Sequence, residues 1–399
     1  MTRLASTTRV VAEAVDLAGG FVWRHEGAGF TTSGVAARVP IGPGPDRFAK
    51  AAAEVSALLD DIDGDDPLGL PGTGPIAIGA VPFLDAAEGE LIVPARIAGR
   101  TEDGRFWLTD ITPAEAAGPP VIKGLEPTSF VVESDGGRLA WTAAVGRALE
   151  RIGRGELDKV VLARRVAVWA DQPFNIPVVV DRLRRSHPSC FTFASAGFIG
   201  ASPELLLRRR GRWAWSRPMA GTVERGGSRA EDKRLVSELR ASPKERDEHR
   251  LVVEDVRARL AAVCAEVFVK GPEPIGLSSV THLATTVTGR LEGGAPPSAL
   301  ELAGVLHPTP AVGGEPRVAA LRAIAELEGF DRGAYAGPVG WVDRRGDGDW
   351  AVALRCAALD GRRAVLTAGA GIVAGSEPEA EWTETQAKLE PMMRALVRV

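Results

Sequence analysis

The sequence predicts an α+β fold. Three observations carry this reading. Apolar segments of strand length outnumber those of helical length, several follow one another across tight turns such as RRGDGDW and LDGRRA, and no internal repeat or low-complexity segment interrupts them. Strands joined by such turns pair antiparallel, whereas a doubly wound parallel sheet needs a crossover between successive strands.

The elements follow in order. Gly and Pro, 46 and 28 residues, cluster in PIGPGP, GDDPLGLPGTGP and PAEAAGPP, which punctuate the first third as turns and loops. Between them RFAKAAAEVSALLDDI, 47–62, repeats apolar residues at helical spacing, and 75–84 and 90–98 have the pattern of short strands. From about Ser129 the chain is more regular. WTAAVGRALERIGRG forms a helix that turns at Gly153 and Gly155 into a strand beginning near Lys159. Further strands are expected at 190–198, 204–210, 281–291, 337–343, 350–359 and 363–370, with helices at 242–267 and from Pro378 onward. This divides the chain into an N-terminal part, 1–128, and a larger region, 129–399.

Composition excludes several classes of function. With 399 residues, 45% hydrophobic and 25% charged, the chain has ample core and is neither disordered nor fibrous. Lys and Arg number 48 against 52 Asp and Glu, so the net charge of −4 offers no footprint for nucleic acid or an anionic membrane. A small-molecule partner is expected. Cys190, Cys264 and Cys356 lie too far apart for a metal knuckle or a CxxC pair and fit a reducing compartment. Glu13 and Asp16 interrupt the N-terminal apolar stretch, and no run approaches the ~20 apolar residues that span a bilayer. The expectation is a cytoplasmic monomer.

Several side chains carry chemistry. Ser242, Pro243 and Glu245 form a capping-box signature, which by itself accounts for Glu245. It leaves out Glu248, which shares the i, i+4, i+8 row of Val252 and Val256 and should face the core, where a carboxylate needs a metal, a cation or a proton. Ser376, Glu377, Pro378 and Glu379 look like a second cap, after which Glu381, Glu384 and Lys388 fall on one helix face. That pattern alone describes a solvated helix with a Glu384–Lys388 pair. The 245/248 and 381/384 pairs nevertheless share one spacing, and oxygen-only ligands suit magnesium better than zinc.

Two turns fail as familiar sites. Gly369, Gly371 and Gly375 have the spacing GxGxxxG with no later strand to supply a ribose-binding acid, so a dinucleotide loop is disfavoured. The acidic run at Asp60, Asp61, Asp63, Asp65 and Asp66 lacks the Gly and the Glu of a calcium loop and is a solvated loop.

Lys159, one of only seven lysines, sits at the mouth of the apolar strand VVLARRV. Burial there favours loss of its proton and so a role as base; a strand-edge lysine that guards against pairing fits the same position. Glu204, at the start of another strand, is an available partner acid. Arg355, in the expected strand AVALRCAAL, must face an anion, while His282 and Tyr335 are weak signals singly.

In order along the chain, KVVLARR, FIGASPELLL, SRPMAGTVERGG, ASPKERDEH, THLATTVTG, LHPTPAVGG, GAYAGPVGW, ALRCAAL and GAGIVAGSEPEAEWTETQAKL resemble the chorismate-utilising enzymes, most closely their isochorismate-forming members. The likeness covers about residues 129 to 399 and is loose before that. It implies two large, mainly antiparallel sheets packed together with helices outside, a magnesium cofactor (Mg2+), and chorismate as substrate. It further implies Lys159 as the base that activates water and Glu204 as the general acid. Glu248 and Glu384 would hold magnesium with support from Glu245 and Glu381. Arg355 and Tyr335 would hold the substrate's side-chain carboxylate, and Gly221, Thr222, His282, Ala311, Gly369, Gly371 and Lys388 would line its pocket.

Departures within the family narrow the reaction. Aminodeoxychorismate-forming relatives use a lysine in PIKGT, where this chain has PMAGT with Ala220; anthranilate-forming relatives lack the lysine matching Lys159. Salicylate-forming relatives have threonine where this chain has Ala311, which favours stopping at isochorismate, a precursor of menaquinone and of siderophores. A salicylate-forming lyase, a non-catalytic chorismate-binding subunit and a nicotinamide oxidoreductase are the alternatives.

Overall fold

Antiparallel pairing governs the architecture. The computed structural model describes residues 3–15, 17, 19–114, 126–277 and 279–397. Among them twenty strands join one hydrogen-bonded network, accompanied by eight helices. Every strand pair in the network is antiparallel.

The two sheets implied by the resemblance are therefore one continuous sheet with two arms. A long ribbon of Ala28–Ile41 paired with Gly89–Arg100 is the joint. From Gly89–Arg100 one arm continues through Ile76–Ala80, Pro338–Asp343, Gly348–Val352, Leu205–Arg210 and Trp213–Arg217 to Val280–Arg290. From Ala28–Ile41 the other passes through Val22–His25, Phe191–Ser195, Phe198–Ser202, Cys356–Asp360 and Arg363–Val373 to Lys159–Ala170. Strands from the first 128 residues thus lie beside strands from the later region in both arms.

Period-2 alternation decides which side each arm buries. On one face of the Lys159–Ala170 and Arg363–Val373 pair, Val166, Val168, Ala364, Leu366 and Ala368 pack with Leu183, Leu389 and Met392 of the covering helices Ile176–Ser186 and Pro378–Leu396. The helix Arg47–Asp61 follows its sequence pattern, burying Phe48, Ala51, Ala52, Val55 and Leu59 on one side.

Four local expectations are corrected. The segment 190–198 is not one strand but the start of a hairpin, turning at Ala196 and Gly197, both with positive φ. The helix begun at Pro243 ends at Ala261, and Glu266–Gly276 is a strand, its backbone pairing with Val280–Arg290. The second helix is preceded by Glu377, not capped by Ser376, whose Oγ accepts from Val373 N at 3.2 Å and closes the turn before the helix. The segment 350–359 breaks between Val352 and Cys356, and Arg355 sits in the break with φ of 49°. The turn at PAEAAGPP falls largely on residues 115–120, outside the described residues.

Candidate active site

The face opposite that apolar layer carries polar chemistry. Register pairs Val373 with Lys159, Gly371 with Val161 and Gly369 with Ala163, so alternation brings Lys159, Val161, Gly369 and Gly371 to one side. Lys159 is fully buried, and its Nζ lies 2.8 Å from Glu248 Oε1 on the helix Pro243–Ala261. The lysine read from the sequence as a candidate base, with Glu204 as its available partner acid, is thus paired instead with Glu248. Burial pushes the Glu248 carboxyl up, but the adjacent Lys159 ammonium outweighs it and holds the group below the usual carboxylate range.

Gly371 makes room for this pair. A Cβ there would lie 2.3 Å from Glu248 Oε1 and 3.0 Å from Lys159 Cε. Gly371→Ala is expected to push the carboxylate off Lys159, lowering kcat/KM roughly 100-fold, the scale of a 1 Å misplacement of reacting groups. Separating this buried pair should also lower the unfolding temperature, because each charge loses its partner. Kinetics and calorimetry of the variant check both statements.

The expected capping box is only half formed. Ser242 Oγ accepts from Glu245 N at 3.4 Å, but the Glu245 carboxylate turns away and accepts from Thr222 N at 2.8 Å through Oε2. Thr222 follows Gly221, where the strand Met219–Glu224 bulges with φ of 76° and a Cβ would meet Glu245 O at 2.9 Å. Glu381, on the facing helix Pro378–Leu396, is almost wholly buried and accepts from Lys244 Nζ at 3.0 Å, which also lies 3.7 Å from Glu245 Oε1. Glu384 pairs with Lys388, whose Nζ also donates to Gly369 O at 2.9 Å. Burial first and Glu248 next push Glu245 up; burial and then Glu384 do the same to Glu381.

A second chain of contacts orients Arg355. Thr222 Oγ1 is 3.0 Å from His282 Nδ1, and Arg355 Nη2 is 3.2 Å from His282 Nε2. A guanidinium can only donate, so Nε2 is the acceptor and a neutral ring carries its proton on Nδ1. Burial first and Arg355 next push His282 well below its ordinary value, in agreement with a neutral ring. The arginine is therefore aimed by a left-handed backbone turn and a neutral histidine, rather than by a strand. Tyr335 is buried, and its hydroxyl is 3.1 Å from where a Cβ of Gly369 would stand.

Glu204 lies just after the strand Phe198–Ser202. Its backbone N donates to Ser202 Oγ at 3.2 Å, and its carbonyl accepts from Val352 N at 3.1 Å. Its side chain is buried, and burial pushes the carboxyl up to about 7, even though Lys159, Lys388 and Arg355 draw it down. An acid poised there can hold a proton at neutral pH and release it.

Glu204, Thr222, Glu248, His282, Ala311, Tyr335, Arg355, Gly369, Gly371 and Lys388 among others, but not Lys159, Glu245, Glu381 or Glu384, line one cleft of about 50 Å³. That is room for only a few waters. A larger cavity of about 410 Å³ lies elsewhere, between Trp23, Trp107, Trp341 and the Arg208–Asp349–Arg210 cluster. Glu204, Glu248, Arg355 and Lys388 converge on the smaller one. Among the described residues no three His, Cys, Asp or Glu side chains stand ready to hold a metal ion. The donor set is nonetheless the right chemistry for a hard dication: four carboxylates on two facing helices, two of them destabilised by burial and then by a neighbouring carboxylate.

Sequence reasoning missed Lys244. Its signal was present: a lysine at the second position of a helix stands against the helix dipole and calls for nearby anions.

Fold and site together define an antiparallel α+β enzyme with a buried acid–base centre beside a carboxylate cluster. The chain belongs to the chorismate-binding enzyme family, whose model matches residues 122–397. It is 39% identical over 344 residues to a candidate isochorismate synthase of Mycobacterium tuberculosis, covering 82% of this chain and 87% of that one. It is also 35% identical over 379 residues to the isochorismate synthase EntC of Escherichia coli, covering 91% of each. The solved structure of MenF, the menaquinone-specific isochorismate synthase of Escherichia coli, matches with a TM-score of 0.80 and 27% identity over 99% of this chain and 94% of that one. No helix among the described residues is long and apolar enough to cross a membrane.

Proposed function

We propose that this chain is an isochorismate synthase that adds water at C2 of chorismate and expels the C4 hydroxyl, with magnesium as cofactor. The observation that carries the reading is a buried, proton-holding Glu204 lining the same cleft as Glu248, whose carboxylate contacts the buried Lys159. Lys159, an ammonium while paired with Glu248, must first release a proton to solvent; as the neutral amine it then takes a proton from the attacking water. The ring double bonds shift, and Glu204 protonates the departing hydroxyl, so one water enters and one leaves. General acid and base each contribute roughly 100- to 10,000-fold.

The site's own charges cancel, so a bound dication would leave an excess of two positive charges for a dianionic substrate. Lys159, Lys244, Lys388 and Arg355 match Glu245, Glu248, Glu381 and Glu384, with Glu204 protonated. Arg355, aimed by His282, and Tyr335 would clamp one substrate carboxylate. Glu248 and Glu384, with Glu245 and Glu381 beside them, would hold a magnesium ion, which when bound supplies Lewis-acid neutralisation of the other. Glu248→Gln and Glu384→Gln are each expected to weaken magnesium binding at least about tenfold, read by titration calorimetry on metal-stripped protein.

Incubation of purified protein with chorismate, with and without magnesium, tests the proposal. Chromatography should find a mixture of isochorismate and chorismate that forms only with the metal, with little pyruvate released. Unconsumed chorismate would refute the activity, and abundant salicylate with pyruvate would replace it by the lyase reading.

A further inference from the structure

Each of the four glutamates that would hold magnesium already has a lysine partner. Glu248 is paired with Lys159, Glu384 with Lys388, and Glu381 and Glu245 share Lys244. A dication reaching these carboxylates must first displace an ammonium, and the three lysines differ in their freedom to leave. The Lys159 side chain is 0% exposed, with the strand residue Gly371 against its Cε. Lys388 is 14% exposed and tied by a second bond to Gly369 O. Lys244 is 35% exposed, sits in the first turn of its helix, and among the described residues donates a hydrogen bond only to Glu381.

We propose that Lys244 is the exchangeable countercation of this carboxylate cluster: it holds Glu381 and Glu245 together without metal and swings to solvent when a divalent cation binds. The inference rests on the magnesium reading above and goes beyond it by assigning a role to a residue outside the ligand set. Physically, a flexible lysine stem at the rim can rehydrate its head at little cost, whereas the buried Glu381 carboxylate cannot rehydrate and needs a positive neighbour in either state. Lys244 thus protects the empty cluster from self-repulsion and opposes metal capture.

The test compares the parent protein, Lys244→Met and Lys244→Arg, all metal-stripped, by magnesium titration calorimetry and by thermal unfolding with and without magnesium. Removing a unit charge a few Å from a dication at a hydrated rim should tighten magnesium binding in Lys244→Met about tenfold. The same variant should unfold at a lower temperature than the parent without metal and recover most of that difference with it. Lys244→Arg, which keeps the charge, should restore binding close to the parent's and so separates charge from packing. Equal or weaker magnesium binding by Lys244→Met overturns the exchange, as does Lys244→Arg behaving like Lys244→Met. Failure of the parent itself to bind magnesium overturns the metal assignment and this inference with it.

Discussion

Lys159→Ala is expected to lower turnover of chorismate by about 10,000-fold, the upper range for loss of a general base, while chorismate is still bound through Arg355. The same substitution leaves Glu248 without its cation in a buried setting, and breaking such a pair costs about 3–5 kcal/mol. Because the Glu248 side chain keeps 13% of its exposure, water can reach it and the lower end of that range applies. Lys159→Gln separates chemistry from folding: it fills most of the same space, turns an amide donor toward Glu248 and cannot take a proton. Both variants should be inactive, with only the alanine protein markedly less stable, as checked by product chromatography and chemical denaturation. Substantial turnover by the glutamine variant would remove Lys159 from the role of base.

How far these roles were legible depended on whether a local rule was broken. Glu248 was conspicuous because a carboxylate on the Val252 and Val256 row violates the helix pattern, and the structure does bury it beside a cation. Arg355 was conspicuous as an arginine within an apolar run, but the strand expected to carry it is interrupted there. The run breaks at φ of 49°, a conformation set by contacts distant in sequence, through His282 and Ala201. Glu245 obeyed a local rule so well that its contact with Thr222 stayed hidden, since a capping box explains the same residue. The start of the strand Glu266–Gly276 was absorbed into a helix expected to reach 267, because an apolar run at a helix end does not declare its period, and the rest of it was not assigned. The joining of the two arms through Ala28–Ile41 was invisible for another reason. Pairing partners as far apart as Gly29 and Arg100 along this ribbon are fixed by register, which no local pattern encodes.

Glu204→Gln is expected to lose activity and gain stability together. An amide cannot deliver a proton to the departing hydroxyl, so turnover should fall about 100- to 10,000-fold, with substrate affinity little changed. In the parent, turnover should decline as pH rises through about 7, where Glu204 loses its proton. Stability follows the same group with a definite sign. Burial raises the folded-state value from 4.5 to about 7, so between these pH values the folded protein holds a proton that the unfolded chain has released. The benefit is complete below about pH 4.5 and is lost as pH rises to about 7, above which the buried carboxylate is a liability. A shift of this size corresponds to roughly 3 kcal/mol. The glutamine side chain removes that liability but leaves amide hydrogens to satisfy, so a net gain of about 1–3 kcal/mol is expected at pH 8 and little or none at pH 4.5. Denaturant unfolding of both proteins at the two pH values measures it. A stability difference that is the same at both would show that Glu204 does not carry the raised carboxyl, and the site would need another acid.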